Sequence, residues 1–429
     1  MKLSVIGAGY VGLVTAACFA DRGHQVIGVD ALDDKVRGLN RGEVPIYEPG
    51  LEDLIRRNLQ AGRLTFTADT AQAVRDSEIV FICVGTPSRS DGEADLTAVA
   101  TAAEQVAEAL PGYRLIVEKS TVPVRTGERV RQVIQLVTRG AVEFDVACNP
   151  EFLREGSAVE DFLHPDRIVL GVETERAERL LRELYRGFDC PLLVTDLSTA
   201  ELIKHASNAF LALKISYINA VANLCDRVGA DVEVVADGMG YDRRIGRAFL
   251  DAGVGYGGSC FPKDLAAFIK IADEVGYDFG LLREVQKVNA EQRDLVIRRL
   301  QQAVWVLSGR VVALLGASFK PNTDDVRDSP AVEIGRRLVR EGATVRVYDP
   351  AALRNFLQEV PEARPCRDAY DAASGADALV VLTAWDEFRA LDLARLRSAL
   401  RRPVVIDGRN VFDPPTMRAQ GFLYHGIGR

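Results

Sequence analysis

"KLSVIGAGYVGLVTAACFADRGHQVIGVD", residues 2–30, decides the fold of the amino-terminal half. It begins with a short apolar run, passes through a glycine-rich turn into a helix-like segment over 11–22, and ends in a second apolar run that closes at Asp30. Gly7, Gly9 and Gly12 form the pattern G-x-G-x-x-G. A strand, this turn, a helix and a second strand in that order predict the βαβ unit of a doubly wound, Rossmann-like sheet.

The same turn predicts a ligand. The first glycine makes the tight turn, the second lets the backbone approach a pyrophosphate, and the third lets the helix pack on the strand. The N–H groups of the helix N-terminus then face the phosphates. Asp30 can accept hydrogen bonds from ribose hydroxyls and would repel a 2′-phosphate, so we expect NAD rather than NADP. The alternative is a purely structural βαβ turn.

Further strand-like runs follow the first unit of the pattern. They lie at residues 78–85, 114–121, 144–151, 167–172 and 191–196. Ligands of open parallel sheets bind beyond the carboxyl ends of the strands. We therefore expect the loops 85–87, 120–123 and 149–156 to converge on one cleft.

The pattern changes near residue 198. The segment 198–228 is rich in Ala and Leu and lacks Pro, and it predicts one long helix with Ser198 as N-cap, Glu201 three residues later and Gly229 as the stop. Further helical segments continue to about residue 305.

The first layout then repeats, with a strand predicted at 311–315, a helix near 330–341, a strand that ends in Asp349, and further strands at 377–385 and 403–410. The loop after the first of these strands lacks the glycine pattern and offers Lys320 and Arg327 instead. The predicted fold class is α/β, with two doubly wound Rossmann-like domains joined by a long central helix and a helical middle domain. The predicted domains are 1–197, 198–305 and 306–429.

Bulk composition excludes several classes of function. A chain of 429 residues suggests two or three domains, and its net charge of −8 argues against a nucleic-acid-binding protein. Seven scattered cysteines without a C-x-x-C pair, and only four histidines, argue against disulfides and a metal site and favour a reduced, cytoplasmic setting. We expect no membrane helix, and the glycines of the first turn argue against the alternative of a signal peptide.

Three groups of residues are candidates for chemistry. Lys204 and Asn208 lie one turn apart on the long helix, and such a polar stripe costs free energy unless it meets partners. Cys260 is the cysteine of the glycine-rich stretch "GVGYGGSCFPKD" (253–264), where Lys263 can favour its thiolate. Glu151 lies in a loop at a strand end, as does Glu155 four residues later. The alternatives are an exposed polar stripe, a buried packing cysteine and a solvated acidic loop.

A series of motifs extends over essentially the whole chain: "GAGYVG" (7–12), "PIYEPGL" (45–51), "EKSTVPV" (118–124), "NPEFLREG" (149–156), "KHASNAF" (204–210), "GYGGSCFPKD" (255–264), "FKPNTDDVRDSP" (319–330) and "DGRN" (407–410). In order and spacing these closely resemble the nucleotide-sugar 6-dehydrogenases. "PIYEPGL" with "GGSCFPKD" is more similar to the UDP-glucose branch than to the sister enzymes acting on GDP-mannose or UDP-N-acetyl sugars. A non-catalytic sensor of NAD or a nucleotide sugar is the alternative from another class.

The resemblance implies a four-electron oxidation of UDP-glucose, in which C6 goes from alcohol to carboxylate with two NAD⁺. Cys260 would attack the aldehyde to give a thiohemiacetal and then a thioester, and the glycines before it would let the loop approach the sugar. The remaining catalytic roles fall to Lys204 (oxyanion stabilisation), Asn208 (holding the C6 oxygen), Asp264 (positioning water or a proton), Glu151 (general base) and Thr121 (holding a water).

The resemblance also implies the binding residues. The expected cofactor residues are Gly7, Gly9, Tyr10, Val11, Gly12, Asp30, Lys35 (adenosine ribose), Thr86, Thr121, Glu155 (nicotinamide), Lys263 and Arg327 (phosphates). The expected substrate residues are Glu151, Phe152, Leu153, Lys204, Asn208, Arg244, Phe249, Gly257, Cys260, Lys320 and Arg409, the last two at the UDP end. Arg244 matches a position that reaches the sugar of a neighbouring subunit, which implies a homodimer or a higher homo-oligomer.

Overall fold

The computed structural model describes residues 1–89 and 92–429. They form two compact units, and two of the helices contribute residues to both. The first unit comprises Met1–Ser207 with Ala266–Val275, and the second comprises Asn208–Leu265 with Gly276–Arg429. The helical middle of the chain is thus divided between the units, and the three-domain boundaries stay a prediction.

The first unit alternates short strands with helices. Its elements are β1 (Lys2–Ile6), α1 (Tyr10–Asp21), β2 (Gln25–Val29), α2 (Asp33–Asn40), α3 (Leu51–Gln60), β3 (Leu64–Thr67), α4 (Thr70–Asp76), β4 (Ile79–Ile82), α5 (Thr97–Ala109), β5 (Arg114–Glu118), α6 (Thr126–Thr138), β6 (Phe144–Cys148), α7 (Ala158–Leu163), β7 (Ile168–Gly171), α8 (Glu175–Leu184) and β8 (Leu192–Thr195). The strands form one sheet of order β3-β2-β1-β4-β5-β6-β7-β8. Neighbouring strands pair in parallel except β6 and β7, which pair antiparallel.

Strand β1 shows why this sheet is buried on both faces. Leu3 and Val5 pack into the hydrophobic cluster that contains α1, whereas Ile6 packs into the cluster on the opposite face with α5. Successive side chains of a strand point to opposite faces, so a parallel strand covered by helices on both sides is apolar at most positions instead of alternating with polar ones. The apolar runs of the sequence predicted these strands for this reason.

Four helices form the middle of the chain. They are α9 (Leu197–Val228), α10 (Val232–Gly240), α11 (Phe261–Glu274) and α12 (Gly280–Val304). Helix α9 ends at the predicted Gly229, whose φ is +76°. In the described part of the chain no helix has both the length and the apolarity needed to span a bilayer.

The predicted N-cap of α9 was wrong. Asp196, not Ser198, caps the helix, because its carboxylate accepts hydrogen bonds from the N–H and the hydroxyl of Thr199 at 2.8 and 2.6 Å. The helix begins one residue earlier than expected, at Leu197, which is buried beside Cys148. Packing of that side chain therefore fixes the start of the helix.

The second unit contains a smaller sheet. Its elements after α12 are β9 (Val311–Leu315), α13 (Pro330–Arg340), β10 (Thr344–Tyr348), α14 (Leu353–Glu359), β11 (Arg364–Pro365), α15 (Ala369–Ala373), β12 (Ala378–Val381), α16 (Asp386–Arg389), α17 (Leu393–Ala399), β13 (Val404–Asp407), α18 (Pro414–Ala419) and β14 (Leu423–His425). The six strands are parallel, in the order β11-β10-β9-β12-β13-β14. The predicted fold class, with two parallel-sheet Rossmann-like parts and a long central helix, is confirmed.

Candidate active site

The glycine turn after β1 is shaped partly by packing and partly for a ligand. A Cβ on Gly7, whose φ is +98°, would lie 2.7 Å from the Cys83 carbonyl oxygen, and one on Gly12 would lie 1.7 Å from the Gly7 carbonyl oxygen. A Cβ on Gly9 would meet nothing within 4 Å. Gly9 is also the N-cap of α1 and contributes no side-chain cap. Open space beside Gly9, in front of the helix N-terminus, is what a bound pyrophosphate requires.

Asp30 lies directly after β2 and beside this turn. Its Oδ2 accepts hydrogen bonds from the Ala8 N–H at 3.2 Å and from Lys35 Nζ at 2.7 Å, and its Oδ1 accepts one from the Leu32 N–H at 3.1 Å. The carboxylate therefore ties the end of β2 to the glycine turn, with Lys35 at its side. These residues fit the dinucleotide that the sequence predicts.

The corresponding place in the second unit does not fit a dinucleotide. Asp349 follows β10 as Asp30 follows β2, but it is buried and its oxygens accept six hydrogen bonds, from the N–H groups of Ala317, Ser318, Ala351 and Ala352, the Ser318 hydroxyl and the indole of Trp385. A Cβ on Gly316 would lie 2.4 Å from the Thr383 side chain. With its acceptors already used by the protein, this carboxylate has little capacity left for a ribose.

Glu151 and Lys204 form a buried ion pair in the first unit. Lys204 Nζ lies 2.8 Å from Glu151 Oε1, and the two side chains are 4% and 5% exposed. The other carboxylate oxygen accepts the Leu153 N–H at 2.6 Å, and Lys204 Nζ lies 5.5 Å from the ring centroid of Phe152. The alternative of a solvated acidic loop was wrong, because Glu155 is only 8% exposed as well.

The loop that carries Glu155 is attached to the glycine turn. The Gly156 N–H donates to Tyr10 Oη at 2.8 Å and to Glu48 Oε2 at 2.6 Å, and the Ala158 N–H donates to Glu48 Oε1 at 2.7 Å. Glu48 lies within the motif "PIYEPGL", but the sequence predicted no role for it. The motif was a signal that could have pointed to Glu48. Its hydrogen-bond partners lie 108 and 110 residues away along the chain, so no local pattern indicates them.

The loop after β5 lies at the same sheet edge, because β1, β4, β5 and β6 are parallel neighbours. Thr86 Oγ1 donates to the Thr121 carbonyl at 2.8 Å and so joins two of the loops that the sequence expected to converge. Just before this loop, burial raises the pKa of Glu118 to about 8. Burial also lowers the pKa of Lys119, whose Nζ lies 3.0 Å from Asn149 Oδ1.

Cys260 lies in the second unit immediately before α11. Its carbonyl accepts the Asp264 N–H at 2.8 Å, which is the first hydrogen bond of the helix. A cysteine at a helix N-terminus is favoured as the thiolate by the positive end of the helix dipole. The sequence predicts that Lys263 favours the thiolate, but Lys263 Nζ is paired with Asp264 Oδ1 at 2.5 Å.

The glycines before Cys260 lie in close contact with other parts of the second unit, and the expected approach of this loop to the sugar stays a prediction. A Cβ on Gly257 would lie 2.3 Å from the Asp328 carbonyl oxygen, and one on Gly258 would lie 2.7 Å from the Phe319 ring. The close neighbour of this loop is therefore the second unit's own chain.

The polar stripe of α9 is buried in both units. In the second unit Asn208 Nδ2 donates to Asp264 Oδ2 at 2.6 Å. The Gly253 N–H donates to Asn219 Oδ1 at 2.8 Å, and Asn219 is fully buried. The alternative of an exposed stripe was wrong, and these hydrogen bonds compensate in part for the burial of the two amides, since no partner is found for Asn219 Nδ2 among the described residues.

A cavity of about 460 Å³ in the second unit is lined by the cations Lys320, Arg389, Arg409 and Arg429, and also by the acids Glu233, Asp251 and Asp413. Arg409 donates from Nε to the Leu382 carbonyl at 2.8 Å, and burial lowers its pKa to about 10. Several cations around one cavity suit a diphosphate.

The other predicted site residues of this unit lie at its surface or in turns. Arg327 pairs with Asp325 at 2.6 Å and Arg244 with Asp242 at 2.6 Å, with arginine side chains 64% and 89% exposed. Phe249 has a φ of +64° and its ring lies 6.2 Å from that of Phe261. Across residues 1–89 and 92–429, no cluster of His, Cys, Asp and Glu has a metal-binding arrangement.

Comparison with known proteins gives full-length matches. Three models of the UDP-glucose/GDP-mannose dehydrogenase family match, namely the NAD binding domain at residues 1–189, the central domain at 198–291 and the UDP binding domain at 313–414. The chain is 48% identical to UDP-glucose 6-dehydrogenase TuaD of Bacillus subtilis (strain 168), over 100% of this chain and 93% of the relative. It is also 48% identical to a UDP-glucose 6-dehydrogenase of Rhizobium meliloti (strain 1021), with 100% of both chains covered.

Two solved structures extend the comparison. A UDP-glucose dehydrogenase from the archaeon Pyrobaculum islandicum superposes with a TM-score of 0.94 at 42% identity, covering 99% of this chain and 97% of the other. A UDP-D-ManNAc dehydrogenase from Pyrococcus horikoshii superposes with a TM-score of 0.89 at 29% identity, covering 100% and 99%.

Proposed function

The chain belongs to the UDP-glucose/GDP-mannose dehydrogenase family, and we propose that it oxidises C6 of UDP-glucose to the carboxylate of UDP-glucuronate with two NAD⁺. One observation carries the proposal. The loop of Glu155 donates a hydrogen bond to Tyr10 in the dinucleotide turn, at the same sheet edge as the buried pair of Glu151 and Lys204. A cofactor turn and a charged pair are thus built into one edge of the first unit.

The residues that would hold NAD⁺ are those of the glycine turn together with Asp30 and Lys35. NAD⁺, when bound, supplies the acceptor for the hydride that leaves C6 in each of two oxidations. Tyr10 and Val11 begin α1, so their N–H groups lie at the helix end that favours phosphate. Asp30 excludes a 2′-phosphate by charge.

The first oxidation removes a hydride from C6 and a proton from its hydroxyl, giving an aldehyde. Lys204 stabilises the oxyanion that develops at this oxygen. Asn208 holds the same oxygen, and Asp264, to which it donates, positions the water or proton at this centre.

The second oxidation needs a nucleophile, because an aldehyde has no readily lost hydride until a group adds to its carbon. Cys260 Sγ bonds to that carbon and gives a thiohemiacetal, and loss of a second hydride leaves a thioester on Cys260. Glu151 then takes a proton from a water held by Thr121, the hydroxide attacks the thioester carbon, and the C–S bond breaks to return the thiolate. One water is consumed for each sugar.

The UDP end of the substrate is assigned to the second unit. The cations Lys320 and Arg409 would pair with its phosphates in the 460 Å³ cavity. Arg327 would contact the cofactor phosphates, as the motif implies.

A homodimer is part of the proposal. Phe210, Tyr217 and Leu224 recur every seven residues on α9 and are 61%, 52% and 58% exposed. A stripe of large apolar side chains at heptad spacing suits packing against the same helix of a second copy. Arg244, 89% exposed in the single chain, would then serve the neighbouring subunit's site.

We place the enzyme in the cytoplasm, because the seven cysteines are scattered without a C-x-x-C pair and the chemistry needs the thiol of Cys260 in its reduced form.

The deciding experiment measures NADH formed per UDP-glucose consumed, with the product identified by mass. We expect two NADH per sugar and UDP-glucuronate as product. A parallel panel with GDP-mannose and UDP-N-acetylhexosamines separates the sister specificities. Absence of NADH with every nucleotide sugar would favour the non-catalytic sensor, and one NADH per sugar would contradict the four-electron reaction.

A further inference from the structure

The face of α9 that carries Lys204 also contacts the loop after β5. His205 is 1% exposed, and its Nε2 lies 2.7 Å from the Val122 carbonyl oxygen. A carbonyl oxygen only accepts hydrogen bonds, so Nε2 carries the proton and donates it. The imidazole ring lies against Phe268, with 5.9 Å between ring centroids. His205 is therefore fixed in one tautomer beside Thr121.

Glu201, one turn earlier on α9, holds the other end of the same loop. Its Oε2 accepts the Arg125 N–H at 2.6 Å and its Oε1 accepts the Gly127 N–H at 2.7 Å. These groups belong to the N-terminus of α6, whose N-cap residue Arg125 forms no side-chain cap. A carboxylate from another helix thus supplies the cap, where the helix dipole favours a negative charge.

The loop needs such support because its backbone is strained. Arg125 has a φ of +75°, in the left-handed region that non-glycine residues rarely adopt. A conformation of this kind persists only where the surroundings determine it. Glu201 accepts one hydrogen bond from each side of this strained turn, and these two bonds hold the turn in its conformation.

We propose that Glu201 and His205 are positioning residues, which act by holding the loop 120–127, and with it Thr121, in register with Glu151. Helix α9 is the common reference, because the same turn of it carries Lys204, which holds Glu151 at 2.8 Å. One rigid helix thereby sets the distance between the base and the residue that holds its water. This proposal rests on the proposed function, in which Glu151 is the base of thioester hydrolysis and Thr121 holds the water.

The first test is Glu201→Gln, in which an amide donor replaces one acceptor and opposes a backbone N–H. Misplacement by about 1 Å can cost up to about hundredfold in rate. We expect kcat for UDP-glucose oxidation to fall about 10- to 100-fold while KM for UDP-glucose stays within about twofold, because the UDP-binding cations are untouched. Glu128→Gln, which removes an acid from the first turn of α6 without touching these bonds, is the matched control. An unchanged kcat in Glu201→Gln would overturn the proposal.

The second test uses the tautomer of His205. His205→Gln keeps an N–H that can reach the Val122 carbonyl, whereas His205→Leu does not. We expect His205→Gln to retain kcat within about threefold and His205→Leu to lose about tenfold. Equal losses of kcat in the two variants would count against positioning through the hydrogen bond to Val122. The two His205 variants test the proposal even if Glu201→Gln does not fold.

A third measurement separates positioning from mere stability. When Thr121→Ala is already present, adding Glu201→Gln should lower kcat by less than about threefold, because the residue through which Glu201 acts is already gone. If the kcat losses of the two single variants multiply in the double variant, action through Thr121 is refuted. Hydrogen exchange of the segment 120–128, which we expect to quicken in Glu201→Gln, is read without turnover. Faster exchange in a chain whose wild type produces no NADH would reject the proposed function and leave the loop attachment standing.

Discussion

Glu118→Gln is the substitution for which the structure gives a sign and a magnitude. Glu118 ends β5 and is fully buried, and burial raises the pKa of its carboxyl from 4.5 to about 8. Its Oε1 accepts the Ser120 N–H at 2.8 Å, and no hydrogen-bond partner is found for Oε2 among the described residues. Glutamine keeps the acceptor for Ser120 and cannot ionise. The substitution therefore removes the titration and retains the one hydrogen bond.

The sign follows from proton linkage. The folded pKa lies above the unfolded one, so the folded state binds the proton more tightly, and stability falls as pH rises from about 4.5 to about 8. With about 1.4 kcal/mol for each pKa unit, the greater ionisation of Glu118 in the unfolded state lowers the free energy of unfolding by about 1 kcal/mol at pH 5 and about 4 kcal/mol at pH 8, relative to acidic pH. Glu118→Gln should therefore gain about 3 kcal/mol relative to wild type between these two pH values.

The assay is calorimetric unfolding of wild type and variant at pH 5 and pH 8. A gain of about 3 kcal/mol corresponds to a relative rise in Tm of roughly 6–12 °C for a unit of this size. Glu201, whose pKa burial raises to about 7, titrates in both proteins. A difference between Glu118→Gln and wild type that is equal at both pH values would refute the reasoning.

Four further predictions concern the site and the assembly. Asp30→Ala should narrow the ratio of kcat/KM for NAD⁺ over NADP⁺ by about tenfold, because the charge that opposes a 2′-phosphate is gone; an unchanged ratio would contradict this. Inactive Arg244→Ala and inactive Cys260→Ala proteins, mixed under conditions of subunit exchange, should recover activity, since one site of each mixed dimer is intact; proven exchange without recovery would count against the shared site. Glu151→Gln should give a burst of NADH and then slow by about 10²–10⁴-fold, with a sugar adduct on the cysteine peptide by mass spectrometry; a normal steady rate would exclude its role as base. Phe210→Lys should shift the chain toward monomer in analytical ultracentrifugation, and an unchanged dimer would show that this stripe is not the interface.

Most of the fold could be predicted from local sequence. The apolar runs of β1 and β9 predicted parallel strands, because a strand buried on both faces has no polar alternation. Gly229 predicted the end of α9, because a left-handed turn after a helix favours glycine. Most of the other predicted strands were longer than the observed ones, because they included the loop residues that follow the strand, such as 119–121 after β5 and 149–151 after β6.

The candidate site could be predicted in part. The motifs named Glu151 and Lys204, and the structure adds that they are paired and buried. They also named Cys260. The structure adds that Cys260 lies at the start of α11, and the glycine-rich stretch before it gave no indication that a helix begins there. The structure adds a packing reason for the glycines before Cys260, because the close contacts of Gly257 and Gly258 are with protein.

The sequence by itself determined what depends on neighbours along the chain: the strands, the glycine turn, the helix stop and the types of residue available for chemistry. Only the tertiary structure decided which of those residues are held in place and how they titrate. Glu48 reaches its partners across 108 and 110 residues, and Glu201 across 74 and 76. The pKa of Glu118 is raised by burial that no local pattern records. Hydrogen-bond partners and desolvation are set by elements that meet only when the sheet is assembled, so they belong to the fold and not to the motif.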